Sequence, residues 1–201
     1  MITSIRYLFS HYFLSIIFFS NVYSQNFNVK PYLQNVTPSS IHIMWETTSN
    51  DESIVHWGET TELGYTATGD AENSINSYYI HDVHLTDLDQ NTRYYYKVVT
   101  GELESEIFDF VTPIESEFES SLRMIAMSDM QKDYSNFNKF QEIINQGIFS
   151  YLDISDTLLL TDVLDLVLIP GDLVDNGINH AEWSNHFFGP SEPLFSHIPL
   201  Y

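Results

Sequence analysis

Residues 39–47 read SSIHIMWET, in which Ile41, Ile43 and Trp45 alternate with His42, Met44 and Glu46. An apolar side chain at every second position marks a strand with one face in a core and the other toward water. The same period continues on both sides of this stretch. SIVHWGET (53–60) ends in a glycine-containing turn, and YIHDVHL (79–85) leads into LTDLDQNTRYYYKVVTG (85–101), where Tyr94, Tyr96 and Val98 share a face; GELESEIFDFVTP (101–113) supplies a last arm. Short strands at regular spacing, separated by turn residues, predict an antiparallel sandwich over 28–113. Its histidines, His42, His56, His81 and His84, are read as packing or surface residues and not as ligands.

After Pro113 the pattern changes. ESEFESS (115–121) is acidic and polar and reads as a linker. LRMIAMSDM (122–130) is a nearly continuous apolar run, as expected of a strand buried on both faces, and it ends in Ser128-Asp129. SNFNKFQEIINQGIF (135–149) places Phe137, Phe140, Ile144 and Ile148 at helical spacing, with Ser135 as the expected N-cap and Gly147 near the far end. Beyond the leucine-rich DTLLLTDVLD (156–165), the segment LVLIPGDLVDNG (166–177) repeats the apolar run and ends in Pro170-Gly171-Asp172. Strand, helix, strand predicts a parallel crossover that delivers both strand ends to one edge of a sheet, where ligands of open α/β folds bind.

Asp129 and Asp172 therefore converge. Two close carboxylates repel, so the pair either takes up a proton or recruits a hard cation. A Pro-Gly-Asp turn and an aspartate helix cap would place the same residues there with no metal. The second, independent aspartate at the end of the preceding strand favours the metal.

Charge points the same way. The chain has 28 Asp and Glu against 7 Lys and Arg, a net charge of −21. Such a polyanion repels nucleic acid and anionic membranes and attracts cations. With no cysteine, oxygen and imidazole donors are the available metal ligands. At the N-terminus, Arg6 precedes an apolar stretch and then Val22-Tyr23-Ser24, the layout of a secretory signal peptide over 1–24 cleaved after Ser24. This predicts a secreted or periplasmic product with no further membrane segment, divided into 25–114, a linker at 115–121, and 122–201.

The spacing L-x-x-x-T-x-Y-x-Y at Leu88, Thr92, Tyr94 and Tyr96, with Trp45 upstream, resembles a fibronectin type III domain. More narrowly, PYLQNVTPSSIHIMWET (31–47) resembles the N-terminal domain of purple acid phosphatases, and SDMQ (128–131) with GDLVD (171–175) resembles the first two motifs of calcineurin-like metallophosphoesterases. The resemblance implies an all-β fibronectin III-like sandwich followed by the first part of an α/β (βαβ) metallophosphoesterase sandwich. It also implies a dinuclear centre of Fe, Zn or Mn that hydrolyses a phosphate ester. In that family Asp129 matches a ligand of the first metal and Asp172 the bridging aspartate. Gln131 stands where many relatives have a ligating histidine. Asp175 stands where the purple enzymes have their chromophoric tyrosine, and so is expected to orient a neighbouring ligand. His180, His186 and His197 match no ligand position. The family's later motifs, G-N-H-D/E and G-H-x-H, do not occur in the sequence. The expectation is an incomplete, inactive N-terminal portion of such an enzyme, with a non-catalytic secreted binding module carrying a vestigial phosphoesterase half as the alternative.

Overall fold

The computed structural model describes residues 26–74, 77–115, 121–154 and 158–201. The expected signal peptide lies outside these residues, as does most of the expected linker. Among the described residues no helix is long and apolar enough to cross a membrane.

The first half is a curled antiparallel sheet folded on itself into a sandwich. Its strands are β1 (Phe27–Thr37), β2 (Ser40–Thr47), β3 (Ser53–Gly58), β4 (Tyr65–Asn73), β5 (Tyr79–Leu85), β6 (Arg93–Thr100), β7 (Leu103–Glu104) and β8 (Phe108–Val111). They run in the order β1-β2-β5-β4-β3-β6-β7, with β8 also paired to β6. The alternation read from 39–47 is physical: Ile41, Ile43 and Trp45 are fully buried, flanked by Leu33 and Val83 on the neighbouring strands and packed in one core with Val55, Tyr96, Val98 and Phe110. Trp45 Nε1 crosses the core to donate to Thr100 Oγ1 at 2.9 Å, which satisfies its one polar atom. The Leu88–Tyr96 spacing also has a physical cause. Tyr94 folds its hydroxyl back to accept the Asp89 N–H at 2.9 Å, while Leu88 plugs the core beneath.

Strand β4 joins the two faces. Residues 65–69 pair with β3, and residues 70–73 leave it to pair with β5. At the crossover stands Gly69, where a Cβ would lie 2.0 Å from the Asp82 carbonyl oxygen. Only a residue without a side chain lets the two strands approach so closely.

The second half is smaller. Strands β9 (Met124–Ala126) and β10 (Leu166–Leu168) pair in parallel, as predicted, with Ile125 opposite Val167. Residues 199–201 add a further extended segment on the other side of β10 through Val167 N–H to Pro199 O and Tyr201 N–H to Val167 O, each 2.9 Å. Helix α1 (Lys139–Glu142) continues into a π-helix (Ile143–Phe149), and α2 (His180–Glu182) runs through a π-helix (Trp183–Phe188) into α3 (Gly189–Phe195). Phe140, Ile144, Ile148, Val167, Phe187, Leu194 and Ile198 form this half's core, together with Val29 and Tyr32 from β1.

Three expectations are corrected. The helix begins at Lys139, not near Ser135, and its N-cap is Asn138. Ser135 is instead bonded to Asp133, an Asx-type turn that ends before the helix starts. Phe137 therefore lies ahead of the helix and is 61% exposed, off the apolar stripe. Finally, 122–130 is not buried on both faces: Leu122 and Met124 are 62% and 47% exposed, because β9 has a partner on one edge only among the described residues.

Candidate metal centre

Beyond the C-terminal ends of β9 and β10 two loops are tied together. Met127 N–H donates to Leu168 O at 3.0 Å, Ser128 Oγ to Gly171 O at 3.3 Å, and Gln131 N–H to Asp172 O at 3.0 Å. These bonds place the Asp129 and Asp172 loops side by side at the sheet edge. Both aspartates take left-handed backbone angles, with φ of 60° and 54°. Aspartate tolerates that region better than most residues, but it still stores strain of about 1 kcal/mol. Two strained carboxylates at the ends of neighbouring parallel strands form a pattern met at functional sites.

Gln131 supplies a further clue. Its Oε1 is buried and has no hydrogen-bond partner, the only such side-chain atom among the described residues. A buried amide oxygen without a donor costs about 1–3 kcal/mol, and a hard cation is one group that would satisfy it. Asp129 and Gln131 bring oxygen donors to one cavity, and Asp172, outside its lining, offers a third from the neighbouring loop. Among the described residues, however, no group of three or more His, Asp, Glu or Cys side chains is arranged to hold a metal. The donors fit part of a coordination shell.

The Asp175 carboxylate lies near enough to the Tyr134 hydroxyl, on the loop after β9, to raise the tyrosine's pKa. Asp129, Gln131, Lys132, Phe137 and His186 line one small cavity. His186 comes from the π-helix after α2; the sequence reading set it aside as no ligand, took Phe137 for a helix-face residue and did not single out Lys132. Nothing in the spacing of His186 points to the cavity, since it arrives there by tertiary packing. Lys132, directly after Gln131, could have been noticed as a rare cation in an acidic chain.

The other two unassigned histidines join the halves. His180 Nε2 lies 2.9 Å from Glu46 and its ring stacks on Tyr78 at 4.2 Å. His197 Nδ1 lies 2.7 Å from buried Asp109. Asp109 also receives Thr161 Oγ1 at 2.6 Å and pairs with Arg93. Burial alone would raise its pKa, but the hydrogen bonds from His197 and Thr161 and the Arg93 charge outweigh it and hold the carboxyl below its usual value.

Comparison with known proteins bears on the fold. The solved structure of PhoD superposes on 87% of this chain with a TM-score of 0.59 at 13% sequence identity, a likeness of fold; the chain spans 38% of PhoD's length. The sensor domain of the anti-sigma factor RsgI4 from Pseudobacteroides cellulosolvens matches 48% of the chain and all of its own, with 16% identity and a TM-score of 0.36, too low to bear on the reading. Residues 27–112 match the purple acid phosphatase N-terminal domain. The sandwich is therefore similar to that family's N-terminal domain, over somewhat less than half of the chain.

Proposed function

We propose that this protein belongs to a secreted, metal-dependent phosphoesterase, and that Asp129, Gln131 and Asp172 hold one edge of a dinuclear Fe, Zn or Mn centre. The observation that carries this reading is the buried, unpartnered Gln131 Oε1 set between two left-handed aspartates at the ends of parallel strands. Asp172 would hold the centre from the loop after β10, next to the Asp129 loop. Asp175, close to Tyr134, would orient the loop that presents it. When bound, such a centre supplies Lewis acidity that activates water and neutralises charge on phosphoryl oxygens. The sandwich braces the site from behind, because Val29 and Tyr32 are built into the core under β10 and the helices.

The test is calorimetric titration of the chain with Zn²⁺ and Mn²⁺. Asp172→Asn and Gln131→Ala are each expected to weaken binding at least tenfold, in line with losses on altering metal-site partners. Equal affinity in wild type and both variants would overturn the reading and favour a non-catalytic binding module. With only this donor set, the 201-residue chain is expected to turn over an aryl phosphate negligibly. Chelator-sensitive turnover lost in Asp172→Asn would show that these donors suffice.

A further inference from the structure

Lys132 is unusual in this molecule. Among the described residues every other lysine and arginine is paired with a carboxylate: Lys30 with Glu192, Arg93 with Asp109, Lys97 with Glu104, Arg123 with Asp165 and Lys139 with Asp133. The Lys132 ammonium instead sits over two rings, 4.9 Å from the centroids of both Tyr134 and Phe137. In a chain of net charge −21, a lysine without a carboxylate partner requires an explanation.

The rings supply one. A cation–π contact fixes an ammonium through the ring quadrupole and leaves its charge uncancelled. A carboxylate would have spent that charge. Nearby Asp133 is committed elsewhere, to Ser135 and, at 3.0 Å, to Lys139. Lys132 and Phe137 line the same cavity as Asp129 and the unpartnered Gln131 oxygen. Tyr134 and Phe137 are 73% and 61% exposed and meet edge to face, with centroids 6.4 Å apart. Exposed rings beside a fixed cation present an angled apolar surface and a positive charge together.

We propose that Lys132, Tyr134 and Phe137 form the substrate-side wall of the site, with Lys132 binding a phosphoryl oxygen, and one ring stacking on a planar aromatic group esterified to that phosphate while the other meets its edge. The wall thereby selects aryl or nucleoside phosphate esters over inorganic phosphate and alkyl esters. This assignment rests on the phosphoesterase reading and specifies its substrate class.

The experiment uses ³¹P NMR titration of the full chain in Zn²⁺ with three probes: phenyl phosphate, ethyl phosphate and inorganic phosphate. Phenyl phosphate is expected to bind more tightly than the other two. Lys132→Met should weaken all three by roughly tenfold, the value of one charge-assisted hydrogen bond, and Lys132→Arg should restore most of that loss. Tyr134→Ala with Phe137→Ala should remove the preference for phenyl phosphate while retaining folded-state circular dichroism. Unchanged binding in Lys132→Met, or no difference among the three probes with wild type, overturns the proposal. The underlying reading fails separately, by unchanged Zn²⁺ affinity in Asp172→Asn.

Discussion

His81 shows how much one buried side chain can govern. It is fully buried on β5, stacked on Trp45 at 5.0 Å, with Nδ1 2.7 Å from Ser53 Oγ and Nε2 2.9 Å from Thr47 Oγ1. Each hydroxyl also lies 3.0 Å from a backbone carbonyl oxygen, Ser53 Oγ from Asp70 O and Thr47 Oγ1 from Ser49 O. Burial lowers the His81 pKa below 6.5, which means the folded state holds the ring neutral. The sign follows from linkage: above 6.5 both states are neutral and stability is complete, and below it the unfolded chain binds a proton that the folded ring refuses. Urea midpoints should therefore fall as pH drops from 7.5 through the folded-state pKa. His81→Gln, which cannot titrate, should show a shallower fall over the same range. Equal pH dependence in the two proteins would show that other groups set it. The sequence placed His81 on a strand, as packing or surface, because its alternation with Ile80 and Asp82 is visible, and the core is where it lies. It could not show the two hydroxyls, which come from β2 and β3.

At the scale of elements, legibility follows strand length. The sandwich strands reach 11 residues, long enough for a two-residue period to repeat and be read. The strands of the second half have three residues each, too short to distinguish burial on one face from burial on two. The helix start was misjudged for a related reason. Asp133, Ser135 and Asn136 bond their own local backbone and compete with the first turn, so apolar spacing that begins at Phe137 outruns the helix. The Asp129 and Asp172 loops were legible because each aspartate follows an apolar run. The Gln131 environment was not, because its solitude depends on what fails to reach it. Element geometry also yields a prediction at Gly69. Where β4 leaves one face of the sandwich for the other, an added methyl meets a backbone oxygen that cannot rotate away. Gly69→Ala should cost about 2 kcal/mol, the scale of overpacking, and lower the thermal midpoint. Gly64→Ala, where nothing lies within 4 Å, serves as the control. Equal midpoints in the two variants would mean that β4 can shift along its partner.

For the whole molecule, the polar stretch at 115–121 suggests two independent bodies, but the packing joins them. Val29 and Tyr32 lie in the second core, and Arg93, Asp109, Thr161, Asp162 and His197 make one polar cluster across the junction. The isolated sandwich, residues 26–115, keeps its own core of Trp45, Tyr96 and Phe110 and should still unfold cooperatively. It should do so at lower denaturant than the full chain, because Asp109 loses His197 and Thr161 and the faces of Val29 and Tyr32 become wet. An equal midpoint for the two would show that the junction contributes nothing to the sandwich.

The junction also bears on the rate at which this chain folds. Ser196 is fully buried, donates its hydroxyl to Pro31 O at 2.7 Å and accepts the Tyr96 hydroxyl at 2.8 Å on its carbonyl, while Leu200 N–H reaches Leu33 O at 3.0 Å. The Ser196 hydroxyl contact closes a loop of 165 residues, whereas most sandwich pairs join neighbours in the chain. Loop closure of that span carries an entropy cost that must be met before the contact returns anything, so hairpins form first and the union of the halves comes late. Interactions that form after the transition state act on unfolding and leave folding nearly unchanged. Ser196→Ala should accordingly steepen the loss of native protein in concentrated urea while the refolding limb of the chevron stays in place. The hook of β1 by residues 196–200 would then serve as a kinetic latch, determining how long the native state lasts more than how quickly it is reached.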